Sequence, residues 1–89
     1  MNSNYNIRFT KQASRALGKL DKTTAKRIIQ AIESLSYDPY HHSQTKKMKG
    51  YEGHFFRLRV GNFRIIYEVI DNRLLIVVVK IGSRGDVYK

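Results

Sequence analysis

Cysteine and tryptophan are absent from these 89 residues, proline occurs once, and only seven residues are acidic. Without cysteine there is no disulfide, no thiolate zinc site and no cysteine nucleophile, so stability has to come from packing. The acidic residues are scattered, and the adjacent His41 and His42 have no third ligand at a metal-binding spacing. Nucleotide-binding glycine motifs are missing as well. We therefore expect no metal and no cofactor.

Long apolar runs are also missing. The longest uninterrupted run, Leu74 to Val79, is far too short to cross a bilayer, and the N-terminal residues lack the basic and then apolar pattern of a secretory signal. A chain of this length forms one modest core, so residues 1–89 are expected to be a single domain. These features favour a cytoplasmic protein with no membrane partner.

Positive charge is what the sequence has in excess. Seventeen Lys and Arg residues against seven Asp and Glu give a formal net charge of +10. Such a charge indicates a polyanionic partner, either a nucleic acid or an acidic protein, although a basic solubilising surface would have the same composition. Charge alone does not separate these alternatives.

The first 36 residues have helical periodicity. One apolar stripe begins at Ala13 and ends at Leu20, and a second contains Ile28, Ile29, Ile32 and Leu35. Thr10 is a candidate N-cap for the first helix, and Asp21 or Thr23 for the second. The short link between the two predicts a helical hairpin. Ahead of it, residues 5–9 alternate between apolar and polar, which is typical of an edge strand.

Beyond a polar loop at residues 37–45, the period becomes two. Three runs rich in β-branched and aromatic residues, at 54–60, 63–70 and 73–81, are separated by Gly61-Asn62 and Asp71-Asn72, both suited to two-residue turns. The predicted fold is α+β, in the order β-α-α-β-β-β. It is an antiparallel sheet, a three-stranded meander plus the N-terminal edge strand, with the helical hairpin on one face.

The predicted hairpin register gathers arginines on one face of this sheet. A two-residue turn at Gly61-Asn62 puts Arg59 opposite Arg64 and Arg57 opposite Ile66, while the other face is apolar and suited to the helices. The turn at Asp71-Asn72 would add Leu75, Val77 and Val79 to the arginine face. Such arginines can splay into water or pair with acidic residues, but three together fit a phosphodiester backbone or its transition state.

The last residues contain Gly82, Arg84, Gly85 and Tyr88. Glycines on both sides of Arg84 let the backbone curl and aim its side chain. A tyrosine this close to the end of the chain is commonly frayed or packed, but beside an arginine cluster it could stack on a base or assist proton transfer.

Together these features resemble a known family. The element order, the segment from Lys47 to Gly50, the stretch from Phe56 to Tyr67 and the ending from Ile81 to Tyr88 resemble the RelE/ParE superfamily of toxin-antitoxin toxins, and the RelE branch most of all. The resemblance implies a ribosome-dependent mRNA endonuclease that cuts the A-site codon by metal-free attack of the ribose 2′-hydroxyl. It also implies an acidic RelB-like antitoxin as partner.

The resemblance also implies roles for individual residues. Arg64 corresponds to the arginine that stabilises the pentacoordinate phosphate, Arg84 to the tail arginine near the leaving oxygen, and Tyr88 to the tyrosine that stacks on the base and orients the nucleophile. Arg57 stands where some relatives have lysine, and an arginine there stabilises charge but does not act as a base. The residues expected to bind RNA phosphates are Arg59, Lys46, Lys47 and Lys49.

Two positions depart from the RelE pattern and keep other functions open. Phe55 stands where relatives carry a basic residue, and Ser83 stands where many carry histidine before the tail arginine. These departures leave a catalytically weak RNA-binding homologue as one alternative. A ParE-like inhibitor of DNA gyrase with the same fold is the other, although Arg64 and Tyr88 argue against it.

Overall fold

A computed structural model describes residues 4–40, 45–48 and 54–83. In the described residues the chain forms five strands, two helices and a short 3-10 turn. Their bounds are β1 Asn6–Phe9, α1 Lys11–Gly18, α2 Lys22–Ser34, β2 Thr45–Lys47, β3 Phe55–Val60, β4 Phe63–Ile70, the 3-10 turn Asp71–Arg73 and β5 Leu75–Ser83. The predicted α+β class and the helical hairpin are confirmed.

Side chains cap both helices at the positions where the sequence suggested caps. The Thr10 Oγ1 accepts a hydrogen bond from the Ala13 N–H at 3.2 Å and donates to the Val79 carbonyl at 2.7 Å. Asp21, and not Thr23, caps α2 by accepting from the Thr24 N–H at 3.0 Å. Each cap satisfies a backbone donor that has no partner within its helix.

The core lies between the helices and one face of the sheet. The fully buried core residues from the helices and the residue after α2 are Ala13, Ile28, Ile32 and Leu35, and those from the sheet include Leu58, Ile65, Tyr67, Ile76 and Val78. Ile29 was predicted to lie on the same apolar stripe, but it is 36% exposed, so the buried stripe of α2 is narrower than the sequence indicated. Neither helix in the described part of the chain is long and apolar enough to cross a membrane.

The sheet is mixed, with the strand order β1-β5-β4-β3-β2. β1 lies at an edge as predicted, but it runs parallel to β5, so the sheet is not wholly antiparallel. β2 was not predicted, because it has only three residues inside a polar segment with no apolar alternation. It pairs antiparallel with β3 and forms the second edge.

The predictions of the two turns of the meander had different outcomes. Val60 pairs with Phe63 across Gly61-Asn62, and Gly61 has a φ of 58°, so the two-residue turn and the whole β3–β4 register are confirmed. The Asp71-Asn72 prediction was wrong, because Ile70 pairs with Leu75 across a four-residue connection. As far as Tyr67 and Val78 this longer connection moves the register by two residues, and an even shift leaves Leu75 and Val77 on their predicted face.

Candidate nucleic-acid interface

The outer face of the sheet, away from the helices, carries Arg8 of β1 and five further cationic side chains that lie in two neighbouring rows. We call these five residues the basic face. Its members are Lys46 of β2, Arg57 and Arg59 of β3, Arg64 of β4 and Lys80 of β5. Partners in a strand pair have their side chains on the same face of the sheet, so the register alone places all five together.

These five residues form two rows across the strands. Lys46, Arg57, Ile66 and Lys80 are successive partners in one row, and Arg59, Arg64 and Gly82 in the next. With neighbouring strands about 4.8 Å apart, the first row spans about 14 Å. Like charges directly opposite each other are destabilising by about 0.2–1 kcal/mol. Both rows therefore favour a bound polyanion that neutralises them.

Arg64 is held close to the β3–β4 turn. Its Nη1 donates to the Phe63 carbonyl at 3.2 Å and to the Gly61 carbonyl at 3.5 Å. A guanidinium has five N–H donors, so these contacts orient the group and leave other donors for a phosphate. Arg64 and Arg57 are half-buried, whereas Arg59 and Lys46 are exposed.

The structure assigns a different face to Lys47. It pairs with Phe56, whose side chain is buried on the helix side of the sheet, so Lys47 and Lys46 point to opposite faces. Three other predicted site residues, Lys49, Arg84 and Tyr88, lie outside the described residues.

Lys80 was not predicted as a site residue from the sequence. Ile76 and Val78 are buried on the helix side, so strict alternation would put Lys80 there as well. A register shift between Ile66 and Tyr67 instead makes Lys80 the partner of Ile66 and brings it to the basic face. In the sequence, Lys80 falls where alternation predicts a buried residue, and this mismatch could have indicated the bulge.

A groove runs beside the sheet between α1 and the ends of β4 and β5. Its volume is about 510 Å³. Lys11 and Arg15 of α1 and Lys19, the residue that follows the helix, line one side at spacings of four residues. The apolar lining includes Leu20, Phe63 and Ile81. The groove also reaches Gly82, the partner of Arg64, so it adjoins the basic face.

A separate polar cluster lies beyond the other end of β4, roughly 23 Å along the strand from Arg64. The Tyr5 hydroxyl donates to Asp71 Oδ1 at 2.7 Å and the Tyr40 hydroxyl donates to Asp71 Oδ2 at 2.5 Å. His54 Nδ1 is 3.8 Å from Asp71 Oδ2. Within the described ranges, no three His, Asp or Glu side chains are grouped in a way that could hold a metal ion.

Comparisons with known proteins agree with this architecture. A family model described as the ParE toxin of the type II toxin-antitoxin system matches residues 7–88. A RelE-like toxin protein of Escherichia coli is 32% identical over 87 residues, covering 94% of this chain and 90% of that protein. Toxin RelG of Mycobacterium tuberculosis is 28% identical over 86 residues, covering 96% of this chain and 97% of that protein.

Solved structures share the fold. The archaeal RelE-RelB complex from Pyrococcus horikoshii contains a chain that superposes with a TM-score of 0.81 at 28% identity, covering 93% of this chain and 98% of that one. A chain of the toxin-antitoxin complex RelBE2 from Mycobacterium tuberculosis gives a TM-score of 0.79 at 26% identity, with coverages of 93% and 94%.

Proposed function

The chain belongs to the RelE/ParE superfamily of type II toxin-antitoxin toxins and is RelE-like, and on that premise we propose that it is an endoribonuclease that cuts mRNA in the ribosomal A site. The observation that carries this proposal is the basic face, where five cations lie in two adjacent rows. A phosphodiester gains negative charge at the phosphoryl oxygens during cleavage, and guanidinium groups already in place stabilise that charge.

The proposed reaction is an attack of the ribose 2′-oxygen on the adjacent phosphorus. The bond from phosphorus to the 5′-oxygen breaks, leaving a 2′,3′-cyclic phosphate and a free 5′-hydroxyl. The 2′-proton is removed in the attack, and the leaving oxygen takes up a proton. Arg64 and Arg57 would stabilise the phosphorane, with Arg59 and Lys46 on neighbouring phosphates. The family resemblance alone assigns Arg84 to the leaving oxygen and Tyr88 to stacking on the mRNA nucleobase.

Ribosomes programmed with a defined mRNA provide the test. We expect the purified chain to cut the A-site codon, and Arg64→Ala to reduce the cleavage rate by about 10²–10³-fold, the cost of removing one preorganised donor to a transition state. Arg73→Ala is the matched control, because Arg73 is exposed in the turn at the far end of β4. Tyr88→Phe tests the role given to the tail tyrosine.

Equal cleavage by the wild-type chain and Arg64→Ala would contradict the catalytic assignment. RNA binding without cut ends would support the catalytically weak homologue instead. The name of the matching family model favours a second candidate, inhibition of DNA gyrase. If the purified chain inhibits DNA supercoiling by gyrase and leaves mRNA intact, that alternative is established.

For the partner, we propose an acidic RelB-type antitoxin. The relatives of known structure include RelE-RelB complexes. The groove beside α1 has an apolar lining and the three cations Lys11, Arg15 and Lys19, which suits an amphipathic segment with acidic residues along one side. Charge reversal at Arg15 should weaken antitoxin binding and leave cleavage by the free toxin unchanged.

A further inference from the structure

β2 is the weakest part of the basic face. It has three residues, lies at an edge of the sheet and, among the residues that the structure describes, has β3 as its only neighbouring strand. Its central residue, Lys46, is directly opposite Arg57, and this like-charge pair acts against the pairing of the two strands. A contact beyond strand pairing that joins so short a strand to the rest of the sheet would therefore help to hold it in position.

The hydroxyl of Tyr67 makes such a contact with β2 from the opposite face of the sheet. Tyr67 is fully buried in β4, and its ring stacks on Phe56 of β3 with centroids 5.6 Å apart. Its hydroxyl donates to the Pro39 carbonyl at 2.6 Å and lies 3.0 Å from the Thr45 Oγ1. Because a phenol has one proton and that proton is given to Pro39, the Thr45 hydroxyl is the donor in the second bond.

This arrangement reaches across a strand. Thr45 is the first residue of β2, and its hydrogen bond to the Tyr67 hydroxyl spans β3. At the other end of β2, the Met48 N–H donates to the Phe55 carbonyl at 3.0 Å. Burial raises the pKa of Tyr67 to about 12, so the phenol remains a donor to Pro39 at physiological pH.

We infer that Tyr67 is a positioning residue for the basic face, whose buried hydroxyl fixes Thr45 and thereby holds Lys46 beside Arg57 for contact with an RNA phosphate. This inference rests on the proposed RNA-directed function. It assigns to a core tyrosine a role that family resemblance and sequence pattern did not assign.

The test is the salt dependence of binding to a short single-stranded RNA. Each phosphate contact on a single strand contributes a slope of about −0.7 in log K against log salt. We expect Lys46→Ala to reduce the magnitude of the slope by about 0.7. Tyr67→Phe should reduce the magnitude of the slope by a similar amount. The double variant, Lys46→Ala with Tyr67→Phe, should reduce it no further than either single variant does. Tyr5→Phe is the control, because it removes a phenol hydroxyl that bonds to Asp71, away from β2.

A second variant separates positioning from stability. Thr45→Val removes the other partner of the same bond with little change in shape, and it should reproduce the altered slope even if Tyr67→Phe lowers the thermal midpoint. Amide hydrogen exchange should quicken at Lys46 and Lys47 in both variants while β4 amides stay protected.

A slope unchanged in Tyr67→Phe and Thr45→Val, or an additive loss in the double variant, would overturn the inference. So would an unchanged slope in Lys46→Ala. If no variant and no wild-type chain cuts mRNA but the slopes behave as expected, the cleavage proposal fails and the positioning role stands.

Discussion

Asp71 binds two tyrosines from distant parts of the chain, Tyr5 before β1 and Tyr40 after α2. Hydrogen bonds from Tyr40 and Tyr5 hold the pKa of its carboxyl below the usual value of 3.8. A group whose pKa is lower in the folded state stabilises the fold above its unfolded pKa, and this stabilisation is lost as pH falls through the folded pKa. The Asp71 cluster therefore makes the fold more sensitive to acid.

We expect Asp71→Asn to flatten the loss of stability below about pH 4, the region where an ordinary carboxyl titrates. Urea unfolding at a series of pH values measures this. Glu33→Gln makes the same chemical change at an exposed position of α2 and should leave the acid limb as in the wild type. Parallel curves for Asp71→Asn and the wild type would refute the assignment.

At the residue scale, the sequence predicted those parts of the basic face that depend on short-range pattern. Arg57, Arg59 and Arg64 follow from a two-residue turn and simple alternation, and the structure places all three as expected. Lys80 could not be placed, because a bulge reverses the alternation in β5. Lys46 was selected as a basic residue without knowledge of its strand, so its position opposite Arg57 was unforeseen.

Among the structural elements, α1 depends on a cap that also joins it to the sheet. Thr10 accepts from the first turn of the helix and donates to β5. We expect Thr10→Ala to lower the free energy of unfolding by about 1–2 kcal/mol, the usual range for a strong N-cap. Thr23→Ala, at an exposed position early in α2, should stay within about 0.5 kcal/mol of the wild type. Similar losses in both would contradict the capping role.

The β3–β4 turn depends on a glycine. Gly61 has a φ of 58°, and an added Cβ would be 3.5 Å from the Arg27 Nη2, so space is sufficient and the backbone angle is the obstacle. We expect Gly61→Ala to destabilise by about 1–2 kcal/mol, the cost of the left-handed conformation. Gly18→Ala, which meets nothing within 4 Å, should stabilise by about 0.4–1 kcal/mol. Denaturant midpoints at equal m-values compare the two.

Prediction of the elements succeeded where a residue type fixes the backbone and failed where distant pairing does. Gly61 and the two helix caps carry local signals: Gly61 and Thr10 were identified, and Asp21 was one of two candidates for the cap of α2. Leu74 adopts a φ of 47° in the β4–β5 connection, and a leucine in the sequence does not predict this left-handed conformation. β2 and the parallel pairing of β1 with β5 exist because a neighbouring strand offers unpaired backbone groups, which a local pattern does not show.

The charge of +10 acts on the molecule as a whole. Repulsion among so many cations opposes the folded state, and screening relieves it, since the Debye length falls from about 30 Å at 0.01 M to about 8 Å at 0.15 M salt. We expect the thermal midpoint to rise over this range in sodium chloride. A flat or falling midpoint would show that repulsion contributes little.

Sulfate tests whether the basic face recognises oxyanions specifically. At equal ionic strength, sulfate should raise the midpoint further than chloride, because binding to the folded state adds stability. Its general salting-out effect is shared by all variants. Arg64→Ala should lose part of the excess over chloride, and Arg73→Ala should keep it.

The parallel pairing of β1 with β5 also affects when the sheet can be completed during synthesis. Asn6 pairs with Leu75, and the pairing continues to Phe9 with Val78. During synthesis, β1 emerges from the ribosome long before its neighbour exists, and contacts so distant along the chain form late. Lys80 and the backbone that supports Arg64 also come from β5. The basic face is therefore incomplete until β5 has left the ribosome and paired with β4.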